Sequence, residues 1–169
     1  MGKKIIFSIL LLLSFGFSAK AQEYLDSIKS QSTQMVNAFS KGDYGKLLEF
    51  THPSIIKIMG GKETATRLLD TALHQLKESG ITVEEAKVGD IIQSLKSNDT
   101  IQCMLPQYLK MKMGDKFYSS KNYLLGISYN NGKRWYFIDT NGGTEESIRK
   151  MIPEISKEIV FLEAEKSFN

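Results

Sequence analysis

The chain has 169 residues, 22 Lys+Arg against 19 Asp+Glu, and 41% apolar residues. That length suits one domain with a real core, and the near balance of charge leaves no basic footprint for nucleic acid or an anionic membrane. The small positive excess sits at the start: Lys3, Lys4 and Lys20 fall in the first 21 residues, which hold no acid, so 22–169 carries 19 charges of each sign.

The opening segment reads as a secretory signal peptide over 1–21. Lys3-Lys4 is the positive n-region, Ile5 to Phe17 the apolar core, and Ala19-Lys20-Ala21 a small-x-small cleavage site. The apolar run is shorter than the roughly 20 residues of a spanning helix. No cysteine follows the site, so no lipid anchor is expected, and no later apolar run predicts a membrane span. The expectation is an exported protein, periplasmic or secreted, cleaved after Ala21, with a single domain over 22–169. Cys103 is the one cysteine, so no internal disulfide is expected.

Leu25, Ile28, Met35, Val36 and Phe39 recur at helical spacing and predict a helix over 22–41. Gly42 stops it, and Asp43 can cap a short second helix through Phe50. Pro53 breaks the chain after His52. Residues 54–59 form either a strand or one helical turn. Gly60-Gly61 opens a long helix over 62–79, striped by Ala65, Leu68, Leu69, Ala72, Leu73 and Leu76, and Gly80 ends it.

From Ile81 the period changes. A strand, a turn at Gly89-Asp90 and a second strand come first. A long strand over 100–113 alternates Ile101, Cys103, Leu105, Leu109, Met111 and Met113, and Gly114-Asp115 turns it into another over 116–129. Asn130-Asn131-Gly132 is a hairpin signal, and "KRWYFIDT" returns as a strand. A short helix over 144–152 with Thr144 near its cap, and an extended piece over 158–163, complete the chain. The fold expected is α+β, with the N-terminal helices on one face of a strongly curved antiparallel sheet and a cone-shaped cavity between. Pro106 inside a long strand predicts a bulge or bend there.

Several chemistries can be weighed by spacing. A phosphate loop needs G-x-x-x-x-G-K-[ST]; here Ile56 stands at its first glycine and Glu63 at its Ser/Thr, so Gly61-Lys62 reads as a turn into a helix. Cys103, Met104, Met111 and Met113 are soft atoms suited to Cu(I). Yet Met111 and Met113 alternate with Lys110 and Lys112 as core residues do, and no metal or cofactor is expected. Cys103 reads as a small buried hydrophobe. His74 lies one turn from Asp70, as a surface pair would. Trp135, Phe137 and Asp139 share one strand face, and Tyr123, Leu125 and Ile127 share another. Together they suit either an aromatic-lined pocket with an acid at its rim or a plain core.

The run "AFSKGDYGKLLEF" followed by "GGKETATRLLDTAL" and then the sheet resembles the nuclear-transport-factor-2-like superfamily, which includes the SnoaL-like proteins. "HPSIIKIMGGKE" and "WYFID" are similar to segments of small exported bacterial members of no assigned activity. The resemblance implies a cystatin-like roll and a choice among isomerases, dehydratases, polyketide cyclases and members that only bind or dimerise. It places the isomerase tyrosine at Met35 and the isomerase aspartate at Ile58 or Met59, neither able to move a proton. Dehydratases and cyclases of this fold use His and Asp inside the cone, which makes His52 and Asp139 the best catalytic pair, against the plainer reading of His52 as a capping or solvent-facing residue at a helix end. The leading expectation is a non-enzymatic domain binding a small apolar molecule. Its pocket residues would be Met35 and Phe39 on the helix, Tyr123 and Leu125 on one strand, and Trp135, Phe137 and Asp139 on the next. The alternatives are a lyase or isomerase using His52 and Asp139, and an interaction module with a filled core that forms a homodimer through its sheet.

Overall fold

The computed structural model describes residues 23–168, so the expected signal peptide and its cleavage site lie outside the described residues. Helix α1 spans 23–41. It buries Ile28, Ser32, Met35, Val36 and Ala38, one stripe at helical spacing. Gly42 takes φ +70 and ends it. The Asp43 carboxylate accepts from the Lys46 amide and caps α2, Tyr44–Phe50. The segment after His52 is helical: α3, Pro53–Ile58, begins on a proline, whose missing N–H is not needed in a first turn. Gly60 and Gly61, at φ +87 and +93, turn the chain into α4, Lys62–Glu78. This helix lies shallow: Ala65 is buried, and Leu68 of the predicted stripe is 50% exposed.

The strands are β1 (Ile81–Val88), β2 (Gln93–Ser97), β3 (Thr100–Met113), β4 (Lys116–Ser128), β5 (Tyr136–Asp139) and β6 (Glu165–Phe168). They form one open antiparallel sheet. The long strands β3 and β4 pair along their whole length, from Ile101↔Ser128 to Met113↔Lys116. Along the other side of β3 lie β1 and β2, end to end. Along the other side of β4 lie β5 and β6.

No bulge forms at Pro106: the β3–β4 register runs unbroken through Pro106↔Tyr123. The Pro106 carbonyl accepts from the Gly89 amide at 2.8 Å. In an antiparallel strand a residue's N–H and C=O point to the same neighbour. The missing N–H therefore faces the β1–β2 connection, where the ladder is already interrupted. The register shift sits in β1 instead, between Val83 and Glu85.

Helices lie on both faces of the sheet, not one. Alternation places Cys103, Leu105, Leu124 and Phe137 on one face, where α1 and α2 cover them with Ile28, Met35, Val36 and Phe50. Met104, Leu125, Ile127 and Ile138 point the other way. Ile148 of α5 (Glu145–Met151, capped by the Thr144 hydroxyl) and Ile152, Ile155 and Ile159 cover that second face. The cause is legible in β3 and β4. Residues 101–106 and 123–128 are buried without a break, as in strands covered on both sides.

Two expected strands are shorter or displaced, because side chains take the backbone hydrogen bonds. Before β5, the Trp135 amide donates to Gln31 Oε1 of α1 at 3.0 Å, and the Arg134 amide donates to Asn130 Oδ1 at 2.9 Å. The strand therefore begins at Tyr136. Residues 158–163 pair with no strand. Gln93 clamps Val160 through both backbone groups, accepting from its amide at 2.9 Å and donating to its carbonyl at 2.8 Å. Gln102 donates to the Glu154 carbonyl and accepts from the Ser156 amide, while Arg149 donates to the carbonyls of Ser156 and Ile159. The last strand is β6, on β4.

Among the described residues no helix is long and apolar enough to cross a membrane. The Cys103 thiol is fully buried and donates to Ser94 Oγ at 3.4 Å; burial pushes its pKa up to about 11, which suppresses the reactive thiolate.

Candidate binding cavity

A cavity of about 390 Å³ opens where α1, α2 and α3 meet the β5 end of the sheet. Met35 and Phe39 of α1, with Leu47 and Leu48 of α2, form one wall. Ile55, Met59 and Leu69 bring in α3 and α4, and Leu109, Leu124 and Phe137 come from the sheet. The polar lining is sparse, chiefly Gln107, Asn122 and Asp139.

The site sits here because β5 is short and its outer edge is covered by a connector. Thr51 bridges Phe137 in parallel, and the His52 amide donates to the Phe137 carbonyl at 3.0 Å. This pairing pins the α2–α3 junction beside the strand end, so apolar residues flanking it face the sheet across a gap.

Asp139 stands at the rim. Its Oδ1 accepts from the Asn141 amide at 2.8 Å and caps a 3-10 turn, Thr140–Gly142. Surrounding protein pushes the carboxyl pKa above its ordinary value, partly offset by that hydrogen bond. The residue still reaches solvent, so the penalty is screened. Among the described residues no cation pairs with it.

Of the residues expected to line a pocket, Met35, Phe39, Phe137 and Asp139 do so; Tyr123, Leu125 and Trp135 do not. Register is the reason. Leu125 pairs with Ile138, while Gly126 pairs with Phe137, so Tyr123, Leu125 and Ile127 face away from Phe137 and Asp139. Trp135 precedes β5 and is sealed at 0% exposure in the core with Ile28 and Val36. Sequence reasoning missed the wall from α2, α3 and α4. Those residues were visible as apolar, but helical spacing does not separate a core residue from one that borders a void.

Neither histidine takes the aspartate weighed as its partner. His74 Nδ1 lies 3.5 Å from Glu78 Oε1, one turn onward, and not against Asp70. His52 is buried and does not line the cavity, so the structure does not bring it together with Asp139. Its Nδ1 accepts from the Ser54 amide at 3.2 Å and caps α3. That fixes the tautomer, so Nε2–H donates to Tyr129 Oη at 2.8 Å. Tyr129 in turn donates to Glu154 Oε1 at 2.6 Å. The chain ties the α2–α3 junction to the β4–β5 turn and to the segment after α5. Burial raises the Tyr129 pKa further, with the Glu154 hydrogen bond adding to it.

Met35 lines the cavity, Met59 borders it and Ile58 is 61% exposed, so the isomerase positions offer no proton carrier. Cys103 and Met104 point to opposite faces of β3 and cannot converge on one ion. Among the described residues no group of three His, Cys, Asp or Glu side chains is placed to hold a metal ion.

Burial lowers the His52 pKa, and Glu154 opposes the shift only in part. The unfolded chain therefore takes up a proton that the folded chain resists. Stability should be full above about pH 6.5 and decline as the pH falls from there toward the lower folded pKa. Urea unfolding at several pH values between neutral and mildly acidic would measure the slope. His52→Asn keeps an oxygen to cap α3 but removes the titrating ring, and should flatten it. An unchanged slope in that variant would assign the effect to other groups.

Comparison of the chain with family models, with curated proteins and with solved structures finds no match.

Proposed function

We propose that this chain is an exported, non-enzymatic domain of the nuclear-transport-factor-2-like type, whose helices and curled sheet enclose a site for a small apolar molecule. The observation that carries the reading is the cavity itself. Its volume, about 390 Å³, falls in the range of small-molecule sites, and its walls are apolar with a few polar groups at one side. Export rests on the charged, apolar and small-residue order of the first 21 residues. A lyase or isomerase acting through His52 and Asp139 would need both groups within reach of one bound substrate. His52 instead spends both ring nitrogens on Ser54 and Tyr129.

The test is titration with N-phenyl-1-naphthylamine, an apolar dye uncharged at neutral pH that brightens out of water. The protein should give a saturable rise. Leu69, half-buried on α4 and part of the wall, is the place to close the cavity. Leu69→Trp should weaken the dye by about tenfold or more, because the apolar area available for burial is taken up by the indole. No saturable signal from the parent protein would remove the reading.

A further inference from the structure

Among the described residues, Asp139 is the one charged side chain on the cavity lining, with no Lys, Arg or His beside it. Its Oδ1 is used by the Asn141 amide, and no cation among the described residues pairs with the carboxylate. Asn122 and Gln107 share the lining, and Asn122 Oδ1 lies 3.4 Å from Asn141 Nδ2. Gly142 borders the same rim, where Asp139 itself is exposed. An apolar chamber thus ends in one carboxylate with no cationic partner among the described residues, beside two neutral side-chain amides that can donate as well as accept.

We propose that the cavity takes a hydrophobic amine, its alkyl or aryl body between the helices and the sheet and its ammonium on Asp139, and that the same carboxylate turns away anionic amphiphiles such as fatty acids. The inference rests on the apolar-cavity reading above and adds the polarity of the ligand's head. The physical reason is that an apolar ligand filling the chamber displaces water from one side of the rim carboxylate, which an ammonium replaces with a charge-assisted hydrogen bond. A carboxylate head would bring a second negative charge beside Asp139 at the same rim and be repelled. An alcohol would supply a neutral donor and fall between.

The experiment is displacement of N-phenyl-1-naphthylamine by decylamine, decan-1-ol and decanoate, each below its micelle concentration, at pH 7.5. Decylamine should compete about tenfold better than the alcohol, the size of one charge-assisted hydrogen bond. Decanoate should compete worst. Asp139→Asn keeps the Asn141 cap, since asparagine caps as well as aspartate. It should bring the amine down to the alcohol, leave the alcohol within about twofold, and let decanoate gain. Circular dichroism checks that the variant is folded. Amine and alcohol of equal strength on the parent protein would overturn the inference while leaving the apolar site intact. So would decanoate that competes as well as the amine, or a folded Asp139→Asn that loses all three compounds alike. If the dye itself does not bind, it is the apolar site that fails.

Discussion

Trp135→Ala should lower stability by about 3 to 5 kcal/mol, the cost of a large aromatic deleted from a packed core. Trp135 is 0% exposed and belongs to the cluster that joins α1 and α2 to the sheet, with Ile28, Val36 and Phe50. The surroundings cannot collapse easily, because the Trp135 amide is held by Gln31 of α1 and the next residue begins β5. One detail predicts a graded series. The indole Nε1 is buried and finds no partner among the described residues. Trp135→Phe keeps most of the ring volume and removes that unpaired N–H, so it should cost well under half as much as alanine. Urea unfolding of the two variants reads the difference. Dye binding by whatever fraction stays folded should be unchanged, since Trp135 is not part of the cavity. An alanine variant within about 1 kcal/mol of the parent would mean that the ring is not sealed.

Gly132→Ala should cost about 2 to 4 kcal/mol, combining a strained backbone with an overlap that no rotamer relieves. Gly132 sits at φ +84 in the β4–β5 turn, where its amide donates to Ser128 Oγ at 2.9 Å. A Cβ there would lie 2.3 Å from Tyr24 Cβ and 3.2 Å from Tyr24 Cα. Both atoms belong to the frame of α1, so relief would require the start of that helix to move off the turn. The matched control is Gly142→Ala. That residue has no left-handed φ, and a Cβ on it would meet nothing within 4 Å, so the change should be near neutral. Equal losses at the two glycines would show that the close approach of α1 to the turn does not govern the cost.

The chain itself carries clear signals for its helices and for the two-strand centre of its sheet. Gly42 and Asp43 mark the α1–α2 break, Gly60 and Gly61 mark the start of α4, and Gly114 marks the β3–β4 turn, each at positive φ except the capping aspartate. These are local effects, set by which residues tolerate a left-handed backbone or offer an oxygen to a free amide. The consecutive apolar residues Cys103-Met104-Leu105 of β3 and Tyr123-Leu124-Leu125 of β4 also held the information that both faces are covered, but alternation over 101–113 was the more visible pattern.

What local signals leave open, the tertiary structure decides through pairing. The strand face that carries Phe137 and Asp139 follows from the β4–β5 register, and a slip of one residue would have put Leu125 with them in place of Leu124. His52 meets Tyr129 and Glu154 because three segments distant in sequence converge, and no spacing rule links residues 77 and 25 positions apart. Where Gln93, Gln102 and Arg149 supply backbone partners, an extended segment never becomes a strand. The cavity belongs to the same class. Amino-acid order determines that Leu47, Ile55, Met59 and Leu69 are apolar, but a void is the volume that packed elements fail to fill, and only their mutual placement specifies it.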